Sequence, residues 1–260
     1  MTWGEANLLV ISAMAAGVIN AVAGGGTLIT FPALLLARTP SVIANATSTL
    51  ALVLGTSGGV FGYRRQLDPV RVWLRRFVPV SLLGGLIGAM LLTATGEKVF
   101  AKLVPFLLLF ATVLFLGQGA FRRFAGFDDE PGITPHPHGR VVWAAVIFQF
   151  LVAVYGGYFG AGIGILMLAS LGFVGLTDIH EMNALKTVLG SLINLVAAAY
   201  FIFAGLIAWP KAGVMTIGAV AGYFLGAHYA QRIPQKRVRQ IITAIGFTIS
   251  AALFYRQFLR

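Results

Sequence analysis

Apolar residues run through this chain in long stretches, broken by glycine, by short basic segments and by one polar interval. Residues 6–22 predict an apolar helix that ends in Ala23-Gly24-Gly25-Gly26-Thr27. Three adjacent glycines cost roughly 3 kcal/mol of helix propensity, so the helix is expected to break there. Residues 28–37, with Pro32 inside, predict a second apolar piece. As one straight helix the two would measure about 48 Å, too long for a single crossing of a ~30 Å hydrocarbon core. Thr39-Pro40 predicts the next helix start, with Thr39 as N-cap and Pro40 at the first helical position; this helix reaches about Gly62. Further spans are predicted over residues 77–93 and 103–120, with a turn at Glu97-Lys98 between them. Residues 121–140 are polar and predict a linker. After it come a helix over 141–158, the break Gly160-Ala-Gly162-Ile-Gly164, a short piece over 165–173, and helices over 177–203, 210–229 and 238–258.

The two sides of the linker align. At a constant offset of 138, Asn45, Ala46, Thr49 and Leu54 meet Asn183, Ala184, Thr187 and Leu192. In the same register Gly84, Gly88, Ala89 and Lys98 meet Gly222, Gly226, Ala227 and Lys236. A register kept from Asn45 to Lys98, polar positions included, points to a duplication: residues 1–120 form one membrane repeat and 141–260 the other. The fold expected is all-α and polytopic, two inverted repeats, each with a glycine-broken first helix and three spanning helices.

The most informative stretch is Asn183-Ala-Leu-Lys186-Thr187-Val-Leu-Gly190-Ser-Leu-Ile-Asn194. On a helix Asn183, Lys186, Thr187, Gly190 and Asn194 share one face, opposite Leu, Val and Ala. Lysines near helix ends can snorkel to the headgroups. Asp178 and Glu181 are spaced like a capping box at the helix start, and counted from Asp178, Lys186 lies about 12 Å in. Half the core is about 15 Å, so the charge sits nearer the midplane than the surface, and an ionisable residue at that depth marks a candidate site. The matching stripe of the first half is Asn45, Ser48, Thr49 and Thr56, with Ser48 at the position of Lys186. Hydroxyls and amides at such depth can instead be glue between helices, a reading that suits Ser48 and Thr56 taken alone.

Composition agrees with a membrane protein: 260 residues, 58% hydrophobic and only 10% charged, against about 25% charged in soluble domains. The net charge of +11 comes from Lys and Arg that lie almost wholly in short loops, where such residues set orientation; no nucleic-acid motif accompanies them. There is no cysteine, which excludes thiol catalysis, disulfides and cysteine metal sites. His136-Pro-His138 has no further ligand nearby, and no metal or cofactor is expected. The N-terminus has no basic n-region, so no cleaved signal peptide is expected. If each broken first helix crosses the membrane once, the halves are parallel and the loop Lys and Arg residues split 11 to 7. If each enters and returns, the halves are inverted and the split is 12 to 6. The stronger bias favours inversion, with both termini on the non-cytoplasmic side.

Inverted repeats with broken helices are a transporter design with its site near the midplane. A half-helix N-terminus favours anions, and Gly24, Gly25, Gly26 and Gly160, Gly162, Gly164 would supply such ends and let the backbone approach a ligand. The glycines could also serve only tight helix crossing. With one cation, Lys186, and donors on Asn45, Ser48, Thr49, Asn183, Thr187 and Asn194, the expected substrate is a small anion. A proton is the expected coupling ion, because a buried lysine can lose its proton.

Ala-Gly-Gly-Gly-Thr near the N-terminus, Asn45-Ala-Thr-Ser, Asn183-Ala-Leu-Lys186 and Gly205-Leu-Ile-Ala-Trp209 together resemble the sulfite exporter TauE/SafE family of permeases. The resemblance covers nearly the whole chain. It implies a multi-pass protein of the bacterial inner membrane that carries a sulfur oxyanion or organosulfonate: sulfite, thiosulfate or sulfoacetate. Gly160-Ala-Gly162-Ile-Gly164 departs from the glycine run of the family. The lipid bilayer and a small anion are the partners implied, and a homodimer stays open. A passive anion channel and a non-transporting scaffold are the alternatives; an enzyme is not expected, since no catalytic constellation appears.

Overall fold

In the computed structural model of the chain, which describes residues 1–22, 25–62, 67–124, 139–173, 176, 179–229 and 235–258, the apolar runs are helices. They are α1 Trp3–Val22, α2 Thr27–Leu36, α3 Ser41–Gly62, α4 Arg71–Phe124, α5 Gly139–Tyr158, α6 Ile163–Phe173, α7 Ile179–Phe203, α8 Trp209–Tyr229 and α9 Gln235–Phe258. No strand occurs among the described residues. In lipid the backbone must satisfy its own hydrogen bonds, which leaves the helix as the natural form for these segments. Trp3–Ala21, Arg71–Leu114 and Glu181–Phe203 are long and apolar enough to cross a membrane, and Thr27–Leu36, Ser41–Gly55 and Val142–Tyr158 are shorter apolar helices.

The turn expected at Glu97-Lys98 lies one residue earlier. Gly96 has φ 70° and ψ 165° inside α4 and divides it into two arms. A side chain at that φ is strained, so glycine fits there. Both breaks in the first helix of each half are present: α1 stops at Val22 and α2 starts at Thr27, and α5 stops at Tyr158 and α6 starts at Ile163. The linker between 125 and 138, with His136 and His138, lies outside the described residues, as do Thr177 and Asp178 of the expected capping box.

The expected cap of α3 is corrected. The helix begins at Ser41, and Thr39 does not cap it: its hydroxyl accepts a hydrogen bond from Lys211 Nζ at 2.9 Å, and the same ammonium donates to Ala37 O at 2.7 Å. The free N–H groups of Ser41 and Val42 go instead to the two oxygens of Glu97, at 2.5 and 2.9 Å. A carboxylate at a helix N-terminus satisfies orphan donors and opposes the positive end of the dipole. Residue type and spacing near α3 could not reveal a cap that comes from the far side of a hinge. At α1 the cap is local: Thr2 Oγ1 accepts from Glu5 N–H and Glu5 returns the bond to Thr2 N–H, a reciprocal capping box. Glu5 also lies within electrostatic range of Lys211 and Arg38. The start of α1, the α2–α3 turn, the Gly96 hinge and the start of α8 thus gather at one end of the molecule.

The most extensive helix pairings join the two halves: α1 with α8, and α4 with α5. Both run on glycine. Gly84 and Gly88 of α4 lie against the backbone of α5 at Phe150 and Val154, and Gly157 lies against Gly85. Gly222 and Gly226 of α8 lie against the backbone of α1 at Met14 and Val18. A Cβ at Gly88 would run into Val154 O, and one at Gly222 into Met14 O. Small residues let helices approach this closely, which is the main source of association in lipid. Other contacts recur in the same way: α3 meets α8 as α7 meets α4, and α3 meets α7 directly. Aromatic residues link α2, α4 and the end of α5, with Phe31 edge-on to Phe100 and Phe159 at centroid distances of 6.4 and 5.3 Å.

These crossings predict a contrast. Gly88→Leu and Gly222→Leu each force two backbones apart and should destabilise by about 1–3 kcal/mol or more. Gly213→Ala, where an added Cβ meets nothing within 4 Å, should be neutral or slightly stabilising. Melting of the detergent-purified variants measures the difference; equal melting of all three would contradict the packing described.

Candidate functional site

The polar stripe of α7 and the α5–α6 break face each other. Lys186 is the eighth residue of α7, roughly 10 Å along its axis. It is half-buried, and its Nζ donates to Asn183 Oδ1 at 2.8 Å. Its aliphatic stem lies on Gly164, in the first turn of α6: a Cβ there would sit 3.3 Å from Lys186 Cδ. Two turns further on, Asn194 Oδ1 is 3.7 Å from the Cβ position of Gly160. Between them Gly190 has no described atom within 4 Å of its own Cβ position. The stripe therefore brings an ammonium to the start of α6 and an amide to the end of α5, with open space beside it. Thr187 is half-buried on the same face.

The break itself needs glycine at two places. Gly160 has φ 79° and Gly162 φ 78°, the left-handed region that other residues enter at a cost. The departure from a continuous glycine run is thus accommodated: Ala161 between them is buried, and its carbonyl accepts from Tyr155 Oη at 2.7 Å. The N–H groups of Phe159 and Gly160 both return to Tyr155 O. At the start of α6, Ile163 N–H reaches Gly160 O only at 3.5 Å, while Ile165 N–H bonds Gly162 O at 3.1 Å.

The first half differs. Asn45 and Ser48 are fully buried and Thr49 half-buried. Asn45 Nδ2 donates to Tyr158 O at 3.2 Å, which ties α3 to the end of α5 in the other half. Thr49 Oγ1 donates back to Asn45 O at 2.9 Å. Ser48 Oγ pairs with Thr30 Oγ1 at 2.6 Å, and Thr30 also reaches Gly26 O at 3.2 Å. Gly25 has φ 94°; Gly24 lies outside the described residues, as does the side chain of Thr56. Gly26 N–H donates to Asn20 Oδ1 at 2.8 Å. The N–H groups of Leu28, Ile29 and Thr30 bond Gly25 O and Gly26 O. The start of α2 therefore has its donors engaged internally, as do Ile163 and Ile165 at the start of α6; the difference is that the start of α6 also lies against the stem of Lys186.

Sequence reasoning passed over Asn20, Thr30, Tyr155 and the Tyr158 carbonyl. Asn20 and Thr30 carried a signal, an amide and a hydroxyl within six residues of a glycine run. The roles of Tyr155 and of a backbone carbonyl depend on the turn between α5 and α6 and leave no pattern.

The profile of the sulfite exporter TauE/SafE family matches residues 9–253. The chain belongs to that family. A probable membrane transporter protein of Haemophilus influenzae is 29% identical to it over 246 residues, covering 93% of this chain and 91% of its own. One from a Sinorhizobium species is 28% identical over 250 residues, with 94% and 90% covered. The probable membrane transporter protein YfcA of Escherichia coli K12 is 26% identical over 251 residues, with 95% and 89% covered. No solved structure matches. With its several apolar helices, this TauE/SafE protein is a multi-pass membrane protein.

In this TauE/SafE protein the two kinds of glycine at the second break are separable by mutation. Gly162→Ala, at φ 78°, should lose about 1–2 kcal/mol of stability. Gly164→Ala sits in helical backbone and should melt near wild type, while its methyl presses on the lysine stem and changes the site. Paired melting and ligand-binding measurements test this; a Gly164→Ala protein less stable than Gly162→Ala would contradict it.

Proposed function

We propose that this protein is a secondary transporter that moves a small anion, a sulfur oxyanion or organosulfonate such as sulfite, thiosulfate or sulfoacetate, across the bacterial inner membrane by alternating access. The observation that carries the reading is Lys186: a cation well inside a membrane helix, its stem on Gly164 just past a helix break, its ammonium bonded to the neutral amide of Asn183. A half-buried cation in a membrane helix, bonded to a neutral amide, favours an arriving anion, because the anion restores the electrostatic balance that the low dielectric demands. Asn183, Thr187 and Asn194 stand on the same face to orient it, and Gly160, Gly162 and Gly164 let the backbone come close. In the first half the amide of Asn45 and the hydroxyls of Ser48 and Thr49 are already engaged with Tyr158 O, Thr30 Oγ1 and Asn45 O, so the anion's ligands come from the second half.

The architecture proposed is two inverted repeats, residues 1–120 and 141–260, joined by the linker 121–140. The paired contacts support it: α1–α8 matches α5–α4, and α3–α8 matches α7–α4. The inverted arrangement also requires residues 2–5, 38–39, 97 and 211 to share one side, and the bonds of Glu97 and Lys211 and the charge of Glu5 support that grouping. Both termini then face away from the cytoplasm. Rocking of one repeat against the other would expose the Lys186 region to each side in turn.

Thermal melting against an anion panel tests the reading, with sulfite, thiosulfate, sulfate, sulfoacetate, taurine and acetate at matched ionic strength. A ligand that binds only the folded state raises its melting point with occupancy. One sulfur anion should shift wild type and not Lys186→Met, and the same variant should lose transport in proteoliposomes by at least about tenfold. If Lys186→Met transports normally, or both proteins shift alike, the stripe is packing and the protein is no anion transporter of this design. Conductance without counterflow would make it a channel.

A further inference from the structure

One buried polar atom takes no part in the anion reading. Asn45 is only 1% exposed, and among the described residues no donor reaches its Oδ1. The amide orientation is fixed by its other end: Nδ2 meets Tyr158 O, which can only accept. The unpartnered atom is therefore an acceptor, and an anion cannot satisfy it. Its surroundings are acceptors too. Tyr158 ends α5, where the helix dipole is negative. Ser48, one turn from Asn45 on α3, shares a hydroxyl pair with Thr30, which reaches Gly26 O. Each hydroxyl has one proton. If Thr30 gives its proton to Gly26 O and Ser48 gives its own to Thr30, only lone pairs are left on Ser48.

From this we infer that the first half holds a site for a monovalent hard cation, sodium, built on Asn45 Oδ1, the Tyr158 carbonyl and Ser48 Oγ. Oxygen donors suit a hard cation, and a divalent ion would call for carboxylates. A half-helix C-terminus with neutral oxygens at a helix break is the sort of place where transporters hold sodium. This favours sodium over the proton that a buried lysine suggests. The site also explains the asymmetry between the halves: the position equivalent to Lys186 is Ser48, so the second half carries a fixed positive charge and the first takes a movable one. With no carboxylate in the set, bound sodium is balanced only by an anion, and each ligand should tighten the other by about fivefold or more.

The test is melting of the purified full-length protein in sodium, potassium and N-methylglucamine gluconate at matched ionic strength, with direct binding of radioactive sodium as a second readout. Sodium alone should raise the wild-type melting point saturably. Asn45→Leu and Ser48→Ala should lose that shift, and Asn45→Asp should keep or strengthen it. Should Asn45→Leu fail to fold, Ser48→Ala decides. Identical wild-type melting in the three salts, or a full sodium shift in Asn45→Leu or Ser48→Ala, overturns the site. The anion panel repeated in N-methylglucamine salts keeps the two readings apart. An anion shift with no sodium effect removes only the cation site, and a sodium shift with no anion effect removes only the anion reading.

Discussion

The structure depends on backbone-to-backbone contact between its halves. Lipid gives helices no hydrophobic reason to associate, so packing at short range must hold them. Here that contact is made at Gly84, Gly88 and Gly157 on one side and at Gly222 and Gly226 on the other. Neither half packs on itself as its main association: α1 finds α8, and α5 finds α4. The broken helices are thus each clamped by a helix of the opposite half, and α3 and α7, which carry the polar stripes, meet between the clamps. A loosened crossing would be felt at the breaks before anywhere else.

Within that frame the two halves have become chemically different. In the second, Lys186 lies over Gly164 and Asn194 beside Gly160, so the stripe faces an irregular backbone. In the first, Asn20 closes the break by taking Gly26 N–H, and Thr30 and Ser48 bond each other. One half thus carries a charged stripe and the other a cluster of buried oxygens. Asn45 joins them, since its amide reaches the last residue of α5.

Much of this was legible in the sequence because it depends on periodicity. The face shared by Asn183, Lys186 and Asn194 follows from 3.6 residues per turn, and the breaks follow from glycine. The turn between the arms of α4 was misplaced by only one residue, since Gly96 precedes the polar pair that marked it. Partners were not legible. Nothing near Ser41 announces Glu97, and Thr39-Pro40 imitates a local cap while Thr39 in fact receives Lys211. Periodicity fixes which way a side chain points along its own helix, whereas the identity of what it meets is set by contacts with other segments, from 18 residues away for Ser48 to 172 for Thr39. For the same reason the donors of Asn45, Ser48 and Thr49 looked available in the sequence and are engaged in the structure.

Glu97 gives the hinge in α4 a mechanical meaning. Its carboxylate holds the first two N–H groups of α3 and is itself attached to the residue where the two arms of α4 part. Bending at Gly96 must carry the top of α3 along or else strip it of its cap and expose two donors. The hinge and the helix bearing Asn45 and Ser48 consequently behave as a crank and its rod, and a change of angle between the arms arrives at the centre of the membrane as an axial pull on α3.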